Sequence, residues 1–295
     1  MSTPSGPAVV NDSGNATVVF TLRADCSVAA TRAVGVKGRD VEDLAQGADG
    51  ALWLADIGDN DRERSTIALL RLPTSGRGAV VRLSYPDGPH DAEALLLPDD
   101  GRPVVVTKEG GGTGRVYTTD ASVTDAGEGP VPLRAEGEVR LPSSTTEGGP
   151  ASFLGRGLIT GGALSADGRT AALRTYTDAW LFPVGGPTAD DVVAGLRAAP
   201  TQVPLPGEPQ GEAIALTDGG SLLSAGESSS GQLGRLHEVA VPSGPPPARA
   251  APAATPAAPA ATAERDADDL GGVLAGVVLA AALAAGSLWW WRRRS

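Results

Sequence analysis

Cysteine and histidine are scarce in this chain of 295 residues, which has one cysteine and two histidines. A single cysteine, Cys26, cannot form a disulfide within the chain. The cysteine count therefore excludes stabilisation by intrachain disulfides, although it does not exclude an exported protein.

Positive charge is also scarce, since 24 lysines and arginines face 35 aspartates and glutamates and give a net charge of −11. No basic stripe is present, so we expect no nucleic-acid partner. An acidic surface of this kind more often serves solubility than cation binding.

Stretches with helical periodicity are few, whereas 40 glycines and 24 prolines are spread along the chain. This composition is typical of many short strands joined by turns.

The stretch from Asp40 to Asn60 predicts a β-hairpin. Its first strand carries Glu42 near its start, Asp49-Gly50 supplies the turn, and the second strand ends at Asp56. In an antiparallel hairpin the start of the first strand lies beside the end of the second. Glu42 and Asp56 should therefore emerge on the same edge.

The same pattern recurs three times. Glu93 precedes Lys108 by fifteen residues, and Glu212 precedes Glu227 by the same interval. The stretch Gly161–Asp178 keeps the turn and a polar end but has no glutamate. Inner strands should therefore begin near four residues: Val41, Ala92, Gly162 and Glu212.

Repeats of about 50 residues with four strands each are typical of β-propeller blades. We predict an all-β propeller of five four-stranded blades, the first incomplete at the N-terminus because no strand precedes Ala8–Asn15. A degenerate sixth blade around Pro142–Gly157 is one alternative. A β-sandwich is another, but it would not explain the regular return of the pattern.

The sequence also predicts one short helix, Thr188–Ala198, and an outer strand, Val131–Leu141.

The C-terminal part has a different composition. Residues 242–269 form a disordered linker rich in proline and alanine. Leu270–Trp291 contains 19 uncharged residues followed by three tryptophans, which predicts a transmembrane helix, with a buried soluble helix as the alternative. The basic tail, residues 292–295, indicates the cytoplasmic side and places an ectodomain of residues 1–241 outside. No signal peptide precedes it, so the start is predicted to be truncated.

Seven motifs in residues 8–241 together resemble a group of secreted or membrane-anchored actinobacterial β-propeller proteins, which are WD-repeat-like and mostly uncharacterised. The resemblance implies a propeller outside the membrane and no established activity. A looser similarity links the glutamates at the heads of inner strands to calcium-binding propellers of the gluconolactonase-like and apyrase classes. The motifs are NDSGN (11–15), DVEDLA (40–45), ADIGDN (55–60), YPDGPHDAEAL (85–95), TGGALSADGR (160–169), LRTYTDAWLF (173–182) and LPGEPQGEAIA (205–215).

Carboxylates at the heads of inner strands should face a narrow channel, where they repel one another and either take up protons or recruit a cation such as Ca²⁺. Alternatively each one caps turn amides or pairs with a basic side chain. The candidate metal ligands are Glu42, Asp56, Asp59, Glu93, Glu212 and Glu227.

A ligand-binding face and one candidate catalytic residue complete the sequence hypotheses. His90 lies near Asp91 and Glu93 and could act as a general base, although no nucleophile-elbow serine accompanies it. Lys108 and Arg174 could bind an anion or merely neutralise the channel. The predicted ligand-binding face comprises Asp12, Asp91, Lys108, Arg174 and Tyr176.

Two functions follow from these patterns. The first is a membrane-anchored binding module for a protein or small-molecule ligand at the cell surface. The second is a hydrolase of the phosphatase, lactonase or esterase kind that uses channel carboxylates and a divalent ion.

Overall fold

The computed structural model describes residues 1–3, 5–11, 16–150, 152–227 and 234–241. The chain divides into two compact units, Met1–Pro247 and Ala248–Ser295, and every described residue belongs to the first. That unit contains five β-sheets among its described residues.

The sheets follow one another along the chain as five propeller blades, I to V. Blade I consists of β1 (Ala8–Val10), β2 (Val18–Leu22) and β3 (Val28–Ala33). Blade II consists of β4 (Asp43–Gln46), β5 (Leu52–Asp56), β6 (Ile67–Leu72) and β7 (Ala79–Ser84). Blade III consists of β8 (Ala92–Leu96), β9 (Val104–Thr107), β10 (Thr113–Thr118) and β12 (Arg134–Arg140), with β11 (Val131–Pro132) preceding β12. Blade IV consists of β13 (Ile159–Leu164), β14 (Thr170–Thr175), β15 (Asp178–Pro183) and β16 (Thr201–Pro204), and blade V of β17 (Gly211–Leu216), β18 (Ser221–Gly226) and β19 (Leu236–Ala240).

The prediction of an all-β propeller with five blades is confirmed. The alternative of a sixth blade is wrong for the described part of residues 142–157, which contains no strand and ends in a 3₁₀ helix, Ser152–Gly157. The predicted turns are present, and Gly50 adopts the positive φ of 77° that the first hairpin turn requires.

The outer strand predicted over Val131–Leu141 is divided between two blades. β11 pairs in parallel with β7 of blade II, whereas β12 pairs antiparallel with β10 of blade III. The division occurs at Leu133, whose buried side chain belongs to the core between these blades and whose N–H donates to Ser84 O at 2.9 Å. Burial of one side chain therefore overrides the continuous strand pattern.

Apolar clusters fill each space between consecutive blades. Val19 and Leu54 belong to the cluster between blades I and II, and Trp53 and Val105 to that between II and III. The third cluster includes Val106 and Leu173, and the fourth includes Ala179 and Ile214. Because both faces of a blade are covered, the middle strands are apolar on both sides, as the sequence of β5 shows.

The inner strands are joined by one buried carboxylate. Asp43 accepts hydrogen bonds from the backbone N–H groups of Leu95 at 2.8 Å, Gly162 at 3.1 Å and Leu44 at 2.8 Å. Burial raises the pKa of Asp43 to about 7, although the amide hydrogen bonds oppose the shift. One side chain of β4 thus connects blades II, III and IV.

The inner strand of blade IV packs closely against the inner strands of its neighbours. A Cβ atom on Gly161 would lie 2.6 Å from Glu212 O, and one on Gly162 would lie 3.1 Å from Ala94 Cβ. The inner strand of blade IV therefore approaches its neighbours too closely for a side chain at Gly161.

The short helix α1, Ala189–Gly195, is present and ends earlier than predicted. Thr188 caps it and forms a capping box with Asp191.

A search for membrane-spanning helices among the residues that the structure describes finds none of sufficient length and hydropathy. The predicted linker, the predicted span Leu270–Trp291 and the basic tail lie outside the described residues.

Candidate functional site: a carboxylate face

Polar side chains converge where the inner hairpins open, opposite their turns. We call Glu42, Glu93, Lys108, Tyr176 and Glu212 the carboxylate face. They come from blades II, III, IV and V, and each affects the ionisation of at least one of the others.

Two β-bulges position the glutamates. Glu93 is the extra residue between the pairs Ala92–Thr107 and Ala94–Val106. Glu212 occupies the same position between its own two pairs in blade V. A bulge changes the direction of its extra side chain, so both glutamates leave the ordinary alternation of the strand. The spacing in the sequence indicated the glutamates but not the bulges.

Blade IV also has a bulge, but the extra residue is Thr160. Its hydroxyl donates to Gly211 O at 2.9 Å, and the residue is 1% exposed. In this blade a hydroxyl bonded to the backbone of β17 therefore takes the place of a carboxylate.

Lys108 is the cation of the carboxylate face. Its Nζ lies 2.7 Å from Glu93 Oε1 and 5.4 Å from the centre of the Tyr176 ring. Burial disfavours the charge of Lys108, but Glu93, Tyr176 and Glu212 outweigh this effect and raise its pKa above the ordinary value. Lys108 is thus held as a cation.

Glu42 lacks comparable neutralisation. Burial, followed by the charges of Glu93 and Asp40, raises the pKa of Glu42 to about 10. A Cβ on Gly58 would lie 2.2 Å from Glu42 Oε1 and 2.5 Å from Asp40 Oδ2, so the two carboxyl groups crowd over this glycine. Glu42 therefore carries a proton at neutral pH.

Glu212 has an intermediate acidity. Burial and the charge of Glu93 raise its pKa to about 7, while Lys108 and a hydrogen bond from Gln210 oppose the shift. Tyr176 also holds its proton more tightly, because burial and the charge of Glu212 raise its pKa to about 12. The face therefore contains one carboxyl group that is protonated and another that is partly ionised at neutral pH.

Two other carboxylates predicted from the hairpin pattern accept hydrogen bonds from backbone N–H groups of nearby loop residues, and one of them also forms an ion pair. Asp56 pairs with Arg64 at 3.0 Å and accepts the N–H groups of Arg39 and Asp40. Asp59 accepts the N–H groups of Glu63 and Arg64 at 3.0 and 2.8 Å.

Two further carboxylates from the prediction also contact protein atoms. Asp91 accepts the N–H of Asp59 at 2.8 Å. Glu227, which is exposed, accepts from Gln210 Nε2 at 2.7 Å.

The described residues contain no group of three or more histidine, cysteine, aspartate or glutamate side chains placed to hold a metal ion. Glu93 is paired with Lys108, Asp56 with Arg64, and Asp59 with backbone amides. This arrangement does not fit a calcium site, and calcium binding stays a prediction.

Arg174 connects blades IV and V inside the protein. Its side chain is 0% exposed, its Nη2 lies 2.6 Å from Glu208 Oε2, and its Nη1 donates to Ser224 Oγ. The guanidinium therefore presents no exposed surface to a ligand. Asp12, the remaining member of the predicted ligand-binding face, lies outside the described residues.

His90 packs in an aromatic group beside β8. Its ring contacts Tyr85 edge-on, with 5.0 Å between ring centres, and its Nε2 lies 3.1 Å from Asp87 Oδ1. Asp87 also accepts from the Tyr117 hydroxyl at 3.0 Å. No serine or cysteine hydroxyl or thiol hydrogen-bonds His90 in the described part of the chain, so no nucleophile accompanies it there.

Sequence reasoning missed three supporting residues: Asp40, Gly58 and Gln210. Asp40 and Gln210 stand two residues before Glu42 and Glu212, and this shared offset was the available signal. Nothing in the spacing indicated that Gly58 lies beneath two carboxyl groups.

No protein-family model matches the chain, and no curated protein matches it. Several solved structures are similar to it at low sequence identity. A periplasmic gluconolactonase of Pseudomonas aeruginosa is 18% identical, with 80% of this chain and 70% of that chain covered and a TM-score of 0.40. The PQQ-bound aldose sugar dehydrogenase of Streptomyces coelicolor is 16% identical, with 81% of both chains covered and a TM-score of 0.41. A catalytically inactive virginiamycin B lyase of Staphylococcus aureus with quinupristin is 14% identical, with coverage of 81% and 71% and a TM-score of 0.37.

The gluconolactonase belongs to the class that the sequence resembles loosely. These identities and TM-scores are too low to assign an activity to this chain.

Proposed function

We propose that this chain is a binding module that captures a cationic group of a protein or small-molecule ligand on the carboxylate face. One observation carries the proposal: glutamates from three blades surround a single lysine, and Glu42 and Glu212 have raised pKa values.

Burial raises the pKa of Glu42 and of Glu212, because a buried carboxylate loses its hydration and the positive charge of Lys108 only partly compensates for the loss. A ligand cation would supply further positive charge and stabilise the carboxylate. Binding should therefore release protons from Glu42 and Glu212 and should become tighter as the pH rises. Lys108 already compensates Glu93, so the ligand would act mainly on the other two glutamates.

We propose further that the propeller lies outside the cell membrane. The uncharged stretch Leu270–Trp291 would anchor it, with the arginine-rich tail inside and residues 242–269 as a spacer. The charge asymmetry across this stretch supports the topology.

Isothermal titration calorimetry tests the binding proposal. The full chain is titrated with a short capped peptide that contains one lysine, and with the same peptide containing glutamine instead. Repeating the titration in buffers with different ionisation enthalpies counts the released protons. We expect the lysine peptide to bind with proton release and Glu212→Gln to weaken binding about tenfold, or about 1.4 kcal/mol.

Glu138→Gln is the matched control, since Glu138 is exposed and its ion pair among the described residues is with Arg140. Equal binding of both peptides, or binding without proton release, would contradict the proposal. Calcium chloride in the same titration tests the metal prediction, and competition with the peptide would place the ion at this face.

A hydrolase of the phosphatase, lactonase or esterase kind is the second candidate. It is favoured by the separation of two pKa values, about 10 for Glu42 and about 7 for Glu212. Such a pair can supply one proton donor and one acceptor at neutral pH. Hydrolysis of a lactone, an aryl ester or an aryl phosphate, measured with and without calcium, should then be lost in Glu212→Gln. Absence of turnover with all three substrates would argue against a hydrolase and would leave the binding module as the proposed function.

A further inference from the structure

Three arginines of blade II lie close together, although they are far apart in the sequence. Arg39 precedes β4, Arg64 precedes β6 and Arg82 belongs to β7. Arg82 stands opposite Ala68, which belongs to the apolar cluster between blades I and II. Because directly opposed residues share one face of a sheet, Arg82 lies on the side of β7 that faces blade I. We call Arg39, Arg64 and Arg82 the arginine cluster.

The arginine cluster has more positive charge than its ion pairs compensate. Asp56 Oδ1 lies 3.0 Å from Arg64 Nη2, and Asp56 Oδ2 lies 3.8 Å from Arg39 Nε. Within the described part of the chain these are the ion pairs of the cluster, and Arg82 has neither an ion pair nor a hydrogen bond there. Three guanidinium groups thus share one carboxylate partner.

The three guanidinium groups also repel one another. Burial lowers the pKa of Arg39, and the charges of Arg64 and Arg82 lower it further, while Asp56 opposes the shift. The carboxylate of Asp40 is near Arg64 as well, but it shares a hydrogen bond with Glu42 instead of forming an ion pair. An anion bound between the arginines would remove this repulsion.

The guanidinium of Arg39 is held in place and still has free donors. Its Nη2 donates to Thr66 O at 2.6 Å, and the backbone N–H of Arg39 donates to Asp56 Oδ1 at 3.0 Å. A guanidinium has five N–H donors, and the side chain of Arg39 is 46% exposed. A ligand can therefore bind the remaining donors of Arg39 together with the exposed side chain of Arg82.

A single exposed arginine is ordinary on a protein surface. This chain, however, has a net charge of −11 and nevertheless brings three arginines from distant positions to one place. A local positive field on an acidic protein attracts anions selectively to that place.

We propose that the arginine cluster is an anion site, which takes the dianionic phosphate group of a monoester. Guanidinium groups bind phosphate through paired N–H···O hydrogen bonds, and a dianion matches the two guanidinium charges that Asp56 leaves uncompensated. The phosphate group belongs either to a soluble molecule or to a lipid headgroup. The site does not depend on the function proposed for the carboxylate face.

Isothermal titration calorimetry of the full chain tests this site with inorganic phosphate as the probe, at constant ionic strength. We expect phosphate to bind and Arg82→Gln to weaken it at least tenfold, which corresponds to about 1.4 kcal/mol. Because Arg82 has no polar partner in the described structure, its replacement leaves the fold intact, and circular dichroism checks this. Arg77→Gln is the matched control, since it removes the same charge from an exposed arginine in the β6–β7 turn of the same blade.

Two further measurements test the chemistry of the site. Acetate, which carries one negative charge, should bind at least tenfold more weakly than phosphate, a difference of about 1.4 kcal/mol. Arg39→Lys keeps the positive charge but loses the planar fork, so it should also weaken phosphate binding.

Competition distinguishes the two sources of the phosphate group. Displacement of inorganic phosphate by glucose 6-phosphate alone would assign the site to soluble monoesters, whereas displacement by phosphatidic acid in phosphatidylcholine vesicles would assign it to a lipid headgroup. No binding of phosphate would overturn the proposal. So would an equal loss of affinity in Arg77→Gln and Arg82→Gln, or equal affinity for acetate and phosphate.

Discussion

The carboxylate of Asp43 accepts a hydrogen bond from the backbone N–H of Gly162 at 3.1 Å, although the two residues are 119 positions apart. The same oxygen accepts the N–H of Leu95 at 2.8 Å. The inner edges of blades II, III and IV therefore share one acceptor, and their relative positions depend on it.

Asp43→Asn should destabilise the propeller by about 2 kcal/mol or more, because either orientation of the amide brings its NH₂ group against at least one backbone N–H donor. Chemical denaturation followed by circular dichroism measures the effect. Asp120→Asn is the control, since Asp120 forms an exposed pair with Arg134 and such pairs contribute little. Equal stability of the two variants would show that the shared acceptor is dispensable.

The free energy of unfolding should fall as the pH rises from about 4.5 to about 10. Glu42 has an ordinary pKa of 4.5 that is raised to about 10 in the folded state, so over this range the folded chain holds a proton that the unfolded chain has lost. Glu42→Gln should flatten the profile and be more stable than the natural chain at pH 9. Urea titrations between pH 5 and 9 provide the measurement, and an unchanged slope in the variant would contradict it.

Arg174→Met should cost about 3–5 kcal/mol, because it leaves Glu208 buried without its partner. Adding Glu208→Gln should recover part of the loss. A double-mutant cycle of the two substitutions gives the coupling energy, with the exposed Arg140–Glu138 pair as reference. A coupling no larger than in the reference would mean that the buried pair does not hold blades IV and V together.

Gly161→Ala should destabilise the protein by roughly 1–3 kcal/mol, since its Cβ would overlap Glu212 O. Gly127→Ala is the matched control, because no described atom lies within 4 Å of the corresponding Cβ. Thermal unfolding compares the two variants. If they melt alike, β17 accommodates a side chain at Gly161, and the close approach of β13 to β17 does not require glycine there.

The predicted anchor is tested on intact cells that produce the full chain. Protease added outside should digest residues 1–241, and the C-terminal arginines should stay protected. The reverse protection pattern would invert the topology, and complete protection would exclude an exposed propeller.

The hairpin pattern predicted the blades well because it depends on local alternation and on turns such as Asp49-Gly50, where glycine supplies a positive φ. It also indicated Glu42, Glu93 and Glu212. It could not indicate the bulges at Glu93 and Glu212, or which residue would neutralise each carboxylate. Lys108 and Arg174 looked alike in the sequence, yet one lies at the face and the other is buried with Glu208. Such differences arise from contacts between blades, which no local pattern contains.

The short strand β11 also limits how this repeat could be shortened or duplicated. Blade II is covered at its outer edge by Val131–Pro132, which follows the third strand of blade III in the chain. A gene segment that encodes residues 41–85 would therefore yield a blade with its last neighbour missing. A functional exchange or duplication of this unit has to include β11 and to end after Arg140, so that blade III keeps its outer strand and blades II and III move together as one module.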